Sequence, residues 1–277
     1  MDNRPIGIFD SGLGGLTVLR AIHELLPNEN IVYFGDSGRT PYGTKSKETV
    51  IRYTFQDINF LLKQNVKMIV IACNTASACS LNIVKEVFDC PIVEVVEPGS
   101  LAACRQTKSK SIAVIGTSAT ISSGVYETAI KKCKPDARVY SKACPLFVPL
   151  VEEGWWEGDI AEMIADEYLK EFKDTDVDTL ILGCTHYPML QKVIKKVLGE
   201  GVTLVNSAVE VANAVKKLLE ENGLQGNNEL SEIKYYTSDS IDKFASLGKM
   251  FLGLEMNNVE RINIEKEYDK EAYYDAL

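Results

Sequence analysis

The chain has 277 residues, room for one large domain or two moderate ones, and its 45% hydrophobic and 25% charged content is that of an ordinary globular protein. A net charge of −9 argues against a nucleic-acid surface, which needs clustered Lys and Arg, and no run nears the roughly 18 apolar residues of a membrane span. Seven cysteines, an odd count with no C-x-x-C pair, argue against a disulfide framework or a usual zinc site. With segment 1–5 running straight into a strand, no signal peptide is expected and the cytoplasm is the expected compartment.

Apolar runs alternate with amphipathic stretches from end to end, the pattern of βαβ units in a largely parallel sheet. The first half reads as strand 6–9, helix 15–25, strand 30–34, helix 47–63, strand 68–72 and helix 75–88. Ile51, Phe55, Ile58 and Leu62 fall at helical spacing on one face of the 47–63 segment. The second half reads as strand 112–115, helix 122–132, strand 137–140, helix 159–172, strand 179–182 and helix 188–198. Strand 203–205, helix 209–221, strand 234–237, helix 241–252 and strand 259–264 follow, with Asn222-Gly223 as a helix stop. Residues 223–228 read as a surface loop and the acidic, Tyr-rich 265–277 as a peripheral tail.

The two halves repeat. Ile8-Phe9-Asp10-Ser11 matches Val114-Ile115-Gly116-Thr117 at an offset of 106, and Cys73 precedes Cys184 by 111. The expected fold is α/β: two similar three-layer domains with mainly parallel sheets, related by a pseudo-two-fold axis, with the active site between them. A terminal unit of two or three strands would bury too little alone, so the tail is expected to return to the first half. The expected domains are 1–97 with 211–277, and 98–210.

Ligands of open parallel sheets bind beyond the carboxyl ends of the strands. Four small polar clusters fall there: Asp10-Ser11-Gly12, Cys73-Asn74-Thr75, Thr117-Ser118 and Cys184-Thr185-His186. Each precedes a helix, whose first N–H groups and dipole favour anions and thiolates. The glycines Gly12, Gly14 and Gly15 fail the G-x-G-x-x-G frame, because Thr17 stands where the last glycine belongs. They read instead as a tight strand-to-helix turn with close backbone approach. One strand-end cysteine is as readily a small buried hydrophobe as a functional group. Two at repeat-equivalent positions favour function, whereas Cys79, Cys90, Cys104, Cys133 and Cys144 lack that context and read as packing or surface residues. His186, two residues past one thiol, is placed to hold its proton, and Asp10 either matches that role near Cys73 or caps its own turn. Cys73, Cys184, His186 and Asp10 could be drawn as a zinc set, but the apolar strand ends and missing second cluster of ligands argue against a metal. Two thiols facing one carbon suit proton transfer instead, in which a thiolate removes a proton from one face and a thiol returns one to the other.

The blocks Phe9-Asp10-Ser11-Gly12-Leu13-Gly14-Gly15, Asp36-Ser37 with Pro41-Tyr42-Gly43, Ala72-Cys73-Asn74-Thr75-Ala76-Ser77 and Gly183-Cys184-Thr185-His186-Tyr187-Pro188 together resemble the glutamate racemases. The resemblance runs from about residue 5 to at least 210. It implies cofactor-independent interconversion of L- and D-glutamate for bacterial peptidoglycan, commonly in a homodimer. It assigns Cys73 to the D-glutamate proton and Cys184 to the L-glutamate proton, with Asp10, His186 and Glu152 as supporting catalytic groups. Asp10, Ser11, Tyr42, Gly43, Asn74, Thr75, Thr185 and His186 match its substrate-binding positions, and the repeat adds Thr117. Glu152, beside Glu153 at a helix edge, is equally readable as surface charge. Some members of the family carry an amino-terminal extension that senses a cell-wall precursor, and none is expected here. Trp155-Trp156 reads as packing or as an interface patch.

Other readings use the same residues differently. An aspartate- or hydantoin-type racemase would apply the thiols to another substrate. A pyridoxal-phosphate racemase leaves them idle and finds no lysine in a motif. A two-domain anion-binding protein gives them no purpose.

Overall fold

The computed structural model describes residues 1–253 and 255–266, so most of the expected 265–277 tail lies outside the described residues. The first half runs β1 (Ile6–Asp10), α1 (Leu16–Leu25), β2 (Ile31–Gly35), α2 (Lys47–Lys63), β3 (Met68–Ile71), α3 (Asn74–Val87), β4 (Ile92–Glu94) and α4 (Val96–Gln106). The second runs β5 (Ser111–Gly116), α5 (Ser118–Ser122), α6 (Val125–Cys133), β6 (Arg138–Ala143), α7 (Phe147–Glu152), α8 (Asp159–Lys173), β7 (Thr179–Gly183), α9 (Gln191–Leu198) and β8 (Thr203–Val205). The chain then continues through α10 (Ser207–Asn222), β9 (Ile233–Thr237), α11 (Ile241–Leu252) and β10 (Val259–Arg261).

β1, β3, β5 and β7 are continuous apolar runs because both of their faces are covered, and every residue in them is buried. They form two parallel sheets, ordered β10-β9-β2-β1-β3-β4 and β6-β5-β7-β8. The order β2-β1-β3-β4 of the first therefore recurs as β6-β5-β7-β8 in the second, as the internal repeat requires. Asp10 pairs with Gly35 at the end of β1, while Gly116 pairs with Gly183 at the end of β5 and β7. Cys73 and Cys184 leave their sheets at matching places. β9 pairs with β2 and β10 with β9, so these last two strands join the first sheet.

One hydrophobic cluster runs through both halves, from Ile8 and Leu16 to Ile115, Leu182 and Val215, while a second lies on the α2–α3 side of the first sheet. The shared cluster is carried by α1 on α10, α10 on α4 and α4 on α6. The expected cut points after residues 97 and 210 fall inside α4 and α10.

Several local expectations change. The helix expected over 122–132 starts only at Val125, after Gly124 takes φ +67°, and a separate short helix, Ser118–Ser122, precedes it. The helix expected from 188 starts at Gln191 after a 3₁₀ turn, Tyr187–Leu190, and the last strand stops at Arg261. β4, α4 and α7 appear where none was expected. Trp156 packs against the core, whereas Trp155 is 54% exposed.

The cysteine reading needs one correction. Cys104 and Cys133, expected as unlinked packing or surface residues, form a disulfide that joins the ends of α4 and α6. Closing a loop of 29 residues removes unfolded-chain entropy worth about 3 kcal/mol. Non-reducing peptide mapping should recover this one linked pair, and Cys104→Ser should lower the unfolding free energy by up to about 3 kcal/mol without changing the secondary structure.

Candidate active site

The two strand–helix turns meet. A Cβ placed on Gly14 would lie 2.2 Å from Thr185 Oγ1 and 2.8 Å from His186 Nδ1, so only glycine lets the first turn sit against the second. Gly43 plays the same part on the other side, where a Cβ would lie 2.4 Å from that of Thr117. The glycine cluster, read from the sequence as a tight turn with close backbone approach, thus also makes a contact between halves.

A small cavity of about 20 Å³, the room of roughly one water, lies at this junction. The first half lines it with Ser11, Tyr42, Gly43, Cys73, Asn74 and Thr75, and the second with Thr117, Cys184, Thr185 and His186. Both strand-end thiols therefore face one space, together with nearly every residue singled out in the sequence. Asp10 sits directly behind it, fully buried, and Glu152 lies outside it beside His186. Thr40, Pro41 and Val148 also line the cavity and were not anticipated. Pro41 belongs to the Pro41-Tyr42-Gly43 block and Thr40 precedes it, whereas nothing in the sequence around Val148 marks it.

Each group has an identifiable support. Cys73 caps α3 and accepts from the Ala76 N–H at 3.4 Å. Asn74 accepts from the Tyr126 hydroxyl of α6 at 2.5 Å, which ties the first half's site helix to the second half. Thr75 and Thr117 hydroxyls lie 2.9 Å apart, and Thr120 lies 3.0 Å from Thr117. Thr120, part of the Thr117-x-x-Thr120 cap, is another residue that the sequence reading passed over. Asp10 accepts from the Gly12 N–H at 3.0 Å and from the Thr185 hydroxyl at 3.4 Å. It thereby both caps its turn and reaches across to the opposite half. Tyr42 contributes its backbone side to the cavity, because its hydroxyl turns away toward Asp36 and Asp57.

His186 is the electrostatic centre. Its Nδ1 lies 3.9 Å from Cys184 Sγ, its Nε2 lies 3.4 Å from Glu152 Oε1, and its ring meets Phe251 of α11 edge-on at 5.7 Å. The Glu152 contact is an ion-pair separation without hydrogen-bond alignment. Burial opposes a charged imidazole, but the Cys184 sulfur and the Glu152 and Asp10 carboxylates outweigh it and lift His186 to about 10. Glu152 shows the reciprocal effect: burial would raise it, and His186 pulls it below its usual value. Burial raises the Asp10 carboxyl, against the pull of His186 and the Gly15 and Gly12 N–H groups. Burial, and then the charge of Asp10, push the Cys73 thiol far up, so that sulfur rests as a thiol. Among the described residues no set of three or more His, Cys, Asp or Glu groups is arranged to hold a metal ion.

Two outcomes are expected. Gly14→Ala should separate the two turns and cost about 1–3 kcal/mol of stability together with most of the activity, read by thermal unfolding and turnover. His186 has its pKa raised from 6.5 to about 10 on folding, so its contribution is fully present below 6.5 and is lost as pH rises through about 10. Denaturant titrations should therefore show wild-type stability falling across that window, with the slope flattened in His186→Asn.

The arrangement has close relatives. The Asp/Glu/hydantoin racemase family profile matches residues 6–215. The glutamate racemase of Geobacter metallireducens is 46% identical over 265 residues, covering 95% of this chain and 98% of that protein. That of Aquifex aeolicus is 50% identical over 251 residues, covering 91% and 95%. The crystal structure of glutamate racemase from Francisella tularensis in complex with D-glutamate superposes with a TM-score of 0.91 at 42% identity, covering 96% of this chain and all of that one. Matching fold, site and sequence over nearly the whole length, the chain belongs to the Asp/Glu/hydantoin racemase family.

Proposed function

We propose that the protein is a glutamate racemase that inverts the α-carbon with two cysteines and no cofactor. The observation that carries this reading is that Cys73 and Cys184, at equivalent ends of repeated strands, line one cavity. The similarity to glutamate racemases, one of them solved with D-glutamate, supports the choice of substrate.

Toward L-glutamate, Cys184 acts as the thiolate and takes the α-proton, while the Cys73 thiol gives its proton to the opposite face. The product is D-glutamate, and the two sulfurs end with their protonation states exchanged. The reverse reaction starts from Cys73 thiolate and Cys184 thiol. In each direction a Cα–H and an S–H bond break while a new S–H and a new Cα–H bond form, so charge and protons balance.

The surroundings divide the labour. Burial, and then the charge of Asp10, disfavour the anion on Cys73, so that sulfur holds the proton it delivers in the L-to-D direction. His186 provides the counter-charge beside Cys184, and Glu152 holds the imidazole from its far side. Ser11, Asn74, Thr75, Thr117 and Thr185 surround the cavity with donors for the substrate carboxylates, joined by the backbone at Tyr42 and Gly43. Exclusion of water strengthens these dipoles against the developing carbanion.

A cavity this small has to open to admit glutamate. We assign that motion to the units 1–97 with 211–277 and 98–210 pivoting about α4 and α10. We further assign the enzyme to the cytoplasm, supplying D-glutamate for peptidoglycan. Its partner is expected to be a second copy of the chain.

Cys73→Ser and Cys184→Ser should each lower glutamate racemisation by at least about 10²–10⁴-fold, the usual worth of a positioned acid or base, with circular dichroism unchanged. The decisive measurement is α-proton exchange in deuterated water from each enantiomer. Deuterium should appear in the inverted product well before the recovered substrate, and ready exchange without inversion overturns the two-base mechanism. Turnover of aspartate with none of glutamate overturns the substrate.

A further inference from the structure

We propose that Asp36, Tyr42 and Asp57 form a buried row that carries one extra proton on Asp57, clamped by Arg39, and that this row positions the 40–43 loop against the substrate. The positioning role rests on the racemase reading above.

The hydrogen bonds carry the argument. Tyr42 Oη lies 2.9 Å from Asp57 Oδ2 and is in short contact with Asp36 Oδ2, and all three side chains are buried. A phenol donates once, so the second contact is a hydrogen bond only if that carboxyl is protonated and donates to the phenol oxygen. With both carboxyls ionised, one buried oxygen would face the phenol's lone pairs unpaired.

The contacts choose which carboxyl holds the proton. Asp36 receives Arg39 Nε at 2.6 Å and the Ser238 hydroxyl at 2.7 Å, two donors suited to an anion. Asp57 receives a single guanidinium contact, from Arg39 Nη2 at 3.0 Å. Burial, and then the charge of Asp36, hold its carboxyl well above the usual range, although Arg39 opposes them. The proton thus runs from Asp57 to Tyr42, and Tyr42 donates its own to Asp36. Asp36 and Arg39 then cancel in charge, and the buried cluster is neutral.

Every element around the row is accounted for. Asp10 approaches from the end of β1, and Gln56 and Asp57 from α2, with Gln56 accepting from Arg39. Ser238 comes from the loop after β9, and Glu265 reaches Arg39 at 3.5 Å from the turn after β10. Arg39 is capped by the Tyr53 ring, 4.0 Å beneath the guanidinium. The row lies on the far side of the loop from the substrate, so these are positioning residues. Their effect passes through Tyr42 to Gly43, which has no space to shift toward Thr117.

The test separates neutral from ionised Asp57. Asp57→Asn keeps a donor toward Tyr42 and should leave KM and turnover for glutamate within about twofold of wild type. Asp57→Ala removes that donor and should raise KM about tenfold, the worth of one lost buried hydrogen bond, with a smaller change in kcat. Wild-type KM should climb on the alkaline side as Asp57 ionises beside Asp36, and that climb should be missing in Asp57→Asn. Infrared difference spectra near neutral pH should show a protonated carboxylic-acid band that Asp57→Asn removes. Damage from Asp57→Asn equal to that from Asp57→Ala, or an unchanged acid band, overturns the proposal. If wild type does not racemise glutamate while the band still vanishes in Asp57→Asn, the substrate reading falls and the proton row stands.

Discussion

The close approach of two strand–helix turns is the constraint on which the rest of this molecule depends. Gly14 has no side chain because Thr185 and His186 occupy the space where one would go. That contact brings the carboxyl end of β1 to the carboxyl end of β7, and through the matching register of β3 it brings Cys73 toward Cys184. The same contact lets Thr185 reach Asp10, so the polar groups of each half are completed by the other. A single half would present one thiol at a helix start, open to water. The doubled unit creates a small, largely buried space that both thiols line.

Burial then sets the electrostatics. In a water-filled cleft His186 would titrate near its ordinary value and its neighbours would be screened. Buried between a sulfur and a carboxylate, it keeps its charge far above neutrality. Burial disfavours the charged form of Cys73 as well, and there the anion has only the Ala76 N–H and nearby hydroxyls to set against burial and the charge of Asp10. The C-terminal return contributes as well: Phe251 closes over the His186 ring and Phe244 packs where Gly35 has no Cβ.

The sequence revealed most where burial is two-sided. β1, β3, β5 and β7 stood out as apolar runs because both faces are covered, and their ends located Asp10, Cys73, Thr117 and Cys184. β4 was missed because Ile92–Glu94 is too short to show a period, and α4 because Pro98 and Gly99 sit in its first turns. The Cys104–Cys133 pair joins two helices through their packing, and no local motif foretells it. Asp57 was overlooked because a polar residue in a helix reads as a solvated one. It is buried only because Arg39 and Tyr42 arrive from an irregular loop, whose path follows no periodicity.

The asymmetry of the two sulfurs poses a question that thermodynamics answers. Enantiomers have equal free energy in water, so the equilibrium constant of a racemase is one and its two kcat/KM values are equal, whatever surrounds each thiol. Asp10 beside Cys73 and His186 beside Cys184 cannot make the enzyme favour one enantiomer at equilibrium. On the two-thiol reading they set which resting protonation state predominates, and hence how kcat and KM are divided in each direction. Such a site need not be a mirror image of itself. On that reading the two sulfurs need only share one cavity, which the repeated fold provides by ending β3 and β7 at matching places, leaving the neighbouring residues of each half free to differ.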